Sequence, residues 1–73
     1  MDRSFYQFVL AYRGGEKNDP YSEFAETMFN DQSFPRYERS FDALSRYIEE
    51  KADSQMPSVL FDELYRHFED RFL

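Results

Sequence analysis

The sequence predicts an all-α fold, and three observations support this prediction. Apolar residues recur in four segments with the spacing i, i+3, i+4, i+7 that places them on one face of an α-helix. No segment alternates apolar and polar residues with the period of two that a half-buried strand requires. The connections between the four segments are too short to contain a strand. We therefore expect a small bundle of about four helices, arranged as two helical hairpins that pack orthogonally.

The first predicted helix occupies the N-terminal part of the chain. Ser4 is its expected N-cap, because a serine hydroxyl accepts a hydrogen bond from the first free helical amides. Gly14-Gly15 is expected to end it, since glycine readily adopts the left-handed conformation that follows a last turn. The apolar face consists of Phe5, Phe8, Val9 and Tyr12.

The second predicted helix opens at Asp19-Pro20. An aspartate caps free amides, and a proline is well suited to the first helical position because its nitrogen has no hydrogen to leave unpaired. The apolar face consists of Tyr21, Phe24, Ala25 and Met28, and Phe29 widens it.

The helical periodicity lapses between Gln32 and Arg39, which is the longest irregular stretch of the chain. Pro35 has no backbone donor and pushes the preceding Phe34 into an extended conformation. We expect this segment to be a loop of restricted shape with Phe34 directed inward.

Two further helices follow this loop. The third is expected from about Phe41 to Ala52 behind Ser40 as its cap, and the fourth from about Ser58 to Phe72, after a break that ends at Pro57. Their inward residues are Phe41, Leu44, Tyr47 and Ile48 in the third helix, and Leu60, Phe61, Leu64, Tyr65, Phe68 and Phe72 in the fourth. From the four apolar faces we predict a buried core that includes Phe8, Phe24, Leu44, Ile48, Phe61 and Phe68.

Length and composition predict a single domain, residues 1–73, whose apolar core must stabilise the fold without a disulfide or a metal ion. There are 73 residues, no cysteine and one histidine, so neither a disulfide framework nor a Cys/His zinc site is expected. Aromatic residues make up 21% of the chain, and each buried aromatic side chain removes about 150–250 Å² from water.

Charge and hydropathy restrict the classes of partner that the protein can bind. The formal net charge is −6, and an acidic surface repels nucleic-acid phosphates and anionic lipids unless basic residues gather on one face. The N-terminal residues lack the features of a signal peptide, and no apolar run approaches the length of about 20 residues that a membrane span needs. We expect a cytoplasmic monomer that does not contact membranes.

The titratable residues form no pattern typical of an active site. His67 follows Glu63 by one helical turn, and we expect these two side chains to form an ion pair on the protein surface. Acidic residues are densest at Asp62, Glu63, Glu69 and Asp70, where they share the solvated side of one helix. The segment Gly14-Gly15-Glu16-Lys17 lacks the spacing of a phosphate-binding loop. We therefore expect no catalytic residue, no cofactor and no metal.

The segment from Ser33 to Arg39 is the best candidate for a binding surface. Aromatic residues and arginines are interleaved there, and both types are common at the energetic centres of protein interfaces. Arg36, Tyr37 and Arg39 are the candidate partner-binding residues. Alternatively, Phe34 and Tyr37 fill the gap between the two hairpins, and Arg36 and Arg39 pair with nearby acids.

Several short motifs, taken in order, resemble the YozE-like family of small proteins from low-GC Gram-positive bacteria. They are Ser4-Phe5-Tyr6-Gln7-Phe8, Tyr12-Arg13-Gly14, Phe24-Ala25-Glu26, Phe29-Asn30-Asp31, Ser33-Phe34-Pro35, Ser45-Arg46-Tyr47-Ile48-Glu49 and Phe61-Asp62-Glu63-Leu64-Tyr65. The resemblance spans essentially the whole chain and implies a SAM-domain-like fold, but it implies no activity, cofactor or binding residue. One departure is Tyr65, where several relatives carry tryptophan. The tyrosine hydroxyl has to reach water or a hydrogen-bonding partner.

The sequence favours a small protein-interaction module without enzymatic activity, because short helical domains with no pocket chemistry and mixed-charge surfaces most often act by docking. The alternative is a nucleic-acid-binding module of the SAM-like fold. That alternative requires the basic residues Arg13, Lys17, Arg36, Arg39 and Arg46 to converge on one face.

Overall fold

The computed structural model describes residues 3–16 and 18–73. Within these ranges the chain forms four α-helices and no strand, which confirms the all-α prediction. The helices are α1 Phe5–Val9, α2 Pro20–Asn30, α3 Phe41–Lys51 and α4 Ser58–Phe72, and a 3₁₀ turn, Leu10–Tyr12, continues α1. The 3₁₀ turn packs against α2 and α3 packs against α4, while α4 also contacts α1 and α2.

The predicted helix caps are present. The Ser4 hydroxyl accepts a hydrogen bond from the backbone amide of Gln7 at 3.2 Å, and the Gln7 side chain accepts one from the Ser4 amide at 3.2 Å. Asp19 accepts from the Tyr21 amide at 3.0 Å, and Ser40 accepts from the Ala43 amide at 3.4 Å. These bonds satisfy amides that have no partner within their helix, so three of the helix starts are set by local sequence.

The first helical segment differs from the prediction. The α-helix ends at Val9, and the next three residues wind more tightly as a 3₁₀ turn, a common way of closing a short helix. The chain then reverses at Gly14, whose φ of 82° is accessible to glycine without strain. The Gly15 amide donates to the Ser22 hydroxyl at 3.1 Å, which ties this turn to α2.

Helices α1 and α4 each supply four buried residues to the hydrophobic core. Phe61, Leu64, Tyr65 and Phe68 are all buried, and the Phe5 ring of α1 lies 5.2 Å from that of Phe61. The six residues predicted for the core are all buried, which confirms that prediction. The core also contains Tyr6, which lies outside the predicted apolar face, and Met56, which lies in the connection between α3 and α4.

The prediction that two further aromatic residues face inward is wrong, because both are exposed. Phe41, the first residue of α3, is 42% exposed, although its ring contacts those of Phe61 and Tyr65. Phe29 is 41% exposed, because it lies at the edge of the apolar face of α2. The Arg13 guanidinium covers the Phe29 ring at 3.7 Å from its centroid.

Candidate functional site

The 31–39 loop between α2 and α3 is built from two consecutive turns. The Phe34 amide donates to the Asp31 carbonyl at 3.1 Å, and the Glu38 amide donates to the Pro35 carbonyl at 3.3 Å. The Asp31 carboxylate also accepts from the Ser33 amide at 3.0 Å, which closes an Asx turn. The loop is therefore shaped by its own hydrogen bonds as well as by Pro35.

Asp31 anchors the beginning of the loop to α3. Its side chain is only 7% exposed, and it accepts hydrogen bonds from the Tyr47 hydroxyl and from the Lys51 ammonium. Burial raises the pKa of Asp31, but the bonds from Tyr47, Ser33 and Lys51 outweigh burial and leave the pKa below its usual value. Burial and the neighbouring carboxylate raise the pKa of Tyr47 to about 12. This cluster was not predicted from the sequence, although the i, i+4 spacing of Tyr47 and Lys51 places both side chains on one face of α3.

Phe34 is the internal anchor of the loop. It is 3% exposed, and its ring lies 5.8 Å from the Tyr6 ring and 5.3 Å from the Tyr47 ring. The prediction that Phe34 is directed inward is confirmed. The contact with Tyr6 also accounts for the burial of that residue.

Arg36 and Tyr37 lie together at the tip of the loop. Tyr37 occupies the second central position of the Pro35–Glu38 turn and is 88% exposed. Arg36 is exposed as well, with its guanidinium 5.3 Å from the centroid of the Tyr6 ring. The alternative in which Tyr37 fills the gap between the hairpins is therefore wrong.

Arg39 lies apart from the tip, at the junction between the loop and α4. Its guanidinium donates to the Phe72 carbonyl at 3.4 Å and lies 5.7 Å from the centroid of the Phe68 ring. Its own carbonyl accepts a hydrogen bond from the Tyr65 hydroxyl at 2.7 Å. The Arg39 carbonyl is thus the hydrogen-bonding partner that the Tyr65 hydroxyl was expected to need.

The basic residues considered for nucleic-acid binding contact different elements. Arg13 forms an ion pair with Glu26 of α2 at 3.2 Å. Arg36 lies against Tyr6 of α1, Arg39 lies against α4, and Arg46 is exposed on α3. Lys17 lies outside the described residues.

A groove of about 500 Å³ lies between the N-terminal segment and the end of α4. It is lined by Arg3, Phe8, Ala11, Tyr12, His67, Asp70, Arg71 and Phe72. Within residues 3–16 and 18–73, His67 makes no ion pair with Glu63, because the Glu63 carboxylate accepts from the Tyr21 hydroxyl at 2.6 Å instead. The predicted surface ion pair is therefore wrong. The described lining contains no Ser, Thr, Cys or Lys side chain that His67 could activate as a nucleophile.

Among the described residues, no group of three or more His, Cys, Asp or Glu side chains is arranged to hold a metal ion. No helix in the same part of the chain combines the length and the apolar character needed to cross a bilayer.

Comparison with known proteins gives a match over nearly the whole chain. Residues 4–70 match the family model described as the YozE SAM-like fold. The chain is 45% identical to a UPF0346 protein of Staphylococcus haemolyticus over 67 residues, which cover 92% of this chain and 89% of that protein. It is 37% identical over 70 residues to a UPF0346 protein of Limosilactobacillus reuteri, covering 96% of each. The names of these relatives state no activity, substrate or partner.

Proposed function

This chain belongs to the YozE SAM-like family, and we propose that it is a small protein-interaction module that docks a partner protein through the tip of its 31–39 loop. The observation that carries the proposal is the exposure of Tyr37, at 88%, beside the exposed Arg36. The loop that presents these two residues is held in shape by contacts at both of its ends. Tyrosine and arginine are enriched among the residues that contribute most to binding at protein interfaces.

The rigidity of the loop supports a docking role. Phe34 is buried beneath the tip, Asp31 ties the loop to α3, and Arg39 ties it to the end of α4. A loop that is already ordered loses little conformational entropy when it binds, so more of the contact energy remains as affinity. In this proposal Arg36 and Tyr37 contact the partner, and Arg39 holds the base of the loop in position.

The proposal includes a non-enzymatic role in the cytoplasm, as a monomer and without a cofactor. It is supported by the described lining of the His67 groove, which contains no Ser, Thr, Cys or Lys side chain, and by the net charge of −6, which disfavours anionic membrane surfaces. Nucleic-acid binding remains the alternative. The same net charge disfavours it, as do the contacts of Arg13, Arg36 and Arg39 with three different helices.

The test compares partner capture by the wild-type chain and by the double variant Arg36→Ala/Tyr37→Ala. Lysate of a bacterium that carries this family is treated with nuclease, so that proteins bridged by nucleic acid are not retained. We expect the variant to lose the captured protein while its free energy of unfolding changes by less than about 0.5 kcal/mol, as is usual for exposed side chains.

The matched control is Arg46→Ala/Val59→Ala, which removes an exposed arginine and an exposed apolar side chain outside the loop. It is expected to retain the partner. Equal capture by a folded loop variant would exclude the loop as the docking surface, and capture that disappears with nuclease would favour nucleic-acid binding.

A further inference from the structure

The groove beside the end of α4 has a preformed aromatic floor. The Phe8 ring lies 5.8 Å from the Tyr12 ring and 5.8 Å from the Phe72 ring, and both contacts are edge to face. Phe8 is buried, whereas Tyr12 and Phe72 are half-buried and leave apolar surface open to the groove. The volume of about 500 Å³ lies within the range of natural ligand pockets, about 300–1,000 Å³, so the floor has room for an apolar side chain.

The rim of the groove carries more basic than acidic side chains. Among the described residues it consists of Arg3, His67 and Arg71, with Asp70 as the one acidic residue. Within residues 3–16 and 18–73, neither Arg3 nor Arg71 makes a hydrogen bond or an ion pair. This is unusual in a chain with a net charge of −6.

Two other depressions on the described surface carry more acidic than basic side chains. One beside the Gly14 turn is lined by Glu16, Glu23 and Glu26 and by no basic residue. Another, beside Phe41, is lined by two acidic residues and one arginine. The basic rim therefore distinguishes the groove from its neighbours.

We infer that this groove binds an acidic segment of a partner protein, with one apolar side chain of that segment seated on the floor of Phe8, Tyr12 and Phe72. Arginines on the rim select acidic residues, and the apolar floor together with Asp70 disfavours a nucleic-acid backbone. The inference rests on the proposed docking function and adds the chemistry of the partner. The groove adjoins the 31–39 loop, because the Arg39 guanidinium donates to the carbonyl of Phe72.

The test uses peptides selected from a phage-displayed random library against the wild-type chain. We expect the enriched peptides to combine acidic residues with an apolar residue. The groove variant Arg3→Glu/Arg71→Glu is compared with the control Arg46→Glu/Arg66→Glu, which changes the net charge equally at exposed positions outside the groove. Reversing two rim charges should weaken peptide binding about tenfold, whereas the control should change it less than about twofold. Thermal unfolding verifies that both variants are folded.

Amide chemical shifts of the labelled protein locate the bound peptide. Shifts centred on Ala11, Tyr12 and Asp70 support the inference, whereas shifts centred on Tyr37 overturn it. It is also overturned if the selected peptides carry no excess of acidic residues, or if the control weakens binding as much as the groove variant.

Two measurements separate the other occupants of the groove, and a third separates this inference from the proposed docking function. If a single-stranded oligonucleotide shifts the same amide signals and binds more tightly than the selected peptides, the inference is overturned in favour of nucleic acid. A concentration-dependent dimer that the groove variant abolishes overturns it in favour of a second copy of the chain. If the groove inference fails while Arg36→Ala/Tyr37→Ala still abolishes partner capture, the proposed docking function stands without it.

Discussion

Replacing Asp31 with alanine removes the anchor that joins the 31–39 loop to α3. The substitution deletes the hydrogen bond from the Tyr47 hydroxyl, the bond from the Ser33 amide and the ion pair with Lys51. The Asp31 backbone carbonyl still accepts from Phe34, so the first turn keeps its backbone bond. The expected effect is thus loss of the anchor without deletion of the loop.

The magnitude follows from the individual interactions. A hydrogen bond to a charged group contributes about 1.5–3 kcal/mol and a bond from a backbone amide about 1 kcal/mol. The Lys51 pair contributes about 0.5 kcal/mol, because the lysine side chain is 40% exposed. These contributions share one carboxylate and are not additive, so we expect a loss of about 2–4 kcal/mol. A domain of this size has a total stability of about 4–11 kcal/mol.

The assay is urea denaturation of Asp31→Ala beside the control Asp62→Ala, which removes an exposed carboxylate from α4. The control should change the unfolding free energy by less than about 0.5 kcal/mol. The Asp31 variant should also melt at least about 8 °C lower, since 1 kcal/mol shifts a domain of this size by about 4–8 °C. A double-mutant cycle with Tyr47→Phe isolates the hydroxyl–carboxylate bond. A loss below about 1 kcal/mol, or a cycle without coupling, would refute the role given to Asp31.

Four further predictions follow from the core, from two tyrosine hydroxyls and from the Asp31 carboxylate. Phe61→Ala should cost about 3–5 kcal/mol, because the ring is fully buried, and chemical denaturation giving less than about 1 kcal/mol would contradict this. Tyr65→Phe should cost about 1 kcal/mol, because it leaves the Arg39 carbonyl without its donor while keeping the ring. Calorimetry that shows no destabilisation would contradict the bond. The folded pKa of Tyr47 is raised from 10.0 to about 12, so its contribution to stability is fully present below pH 10 and is lost as the pH rises through about 12. Denaturation series across this range should show a smaller alkaline loss for Tyr47→Phe than for wild type. The Asp31 pKa is lowered, so its contribution is present above the usual value of 3.8 and disappears as the pH falls through the depressed pKa.

The helices and most of the core were predictable from the sequence because their determinants are local. Ser4, Asp19 and Ser40 cap the helices that they precede, and each cap depends on amides within three residues of its own side chain. The apolar spacing likewise identifies the face that a helix must bury, whatever it packs against. For this reason Phe61 and the other five core residues were found without knowledge of their partners.

The candidate site depended on which elements meet, and only the tertiary structure decided this. Periodicity placed Phe41 on an inward face, but at the start of α3 it is 42% exposed, although its ring contacts those of Phe61 and Tyr65. The Asp31–Tyr47 bond joins residues 16 apart, and the groove joins Arg3 to Arg71, from opposite ends of the chain. The first pairing follows from the packing of the 31–39 loop against α3, and the second from the packing of α4 against α1. Local propensity and helical periodicity contain no information about contacts between elements, so the exposed tip and the basic rim emerge only when the helices are packed.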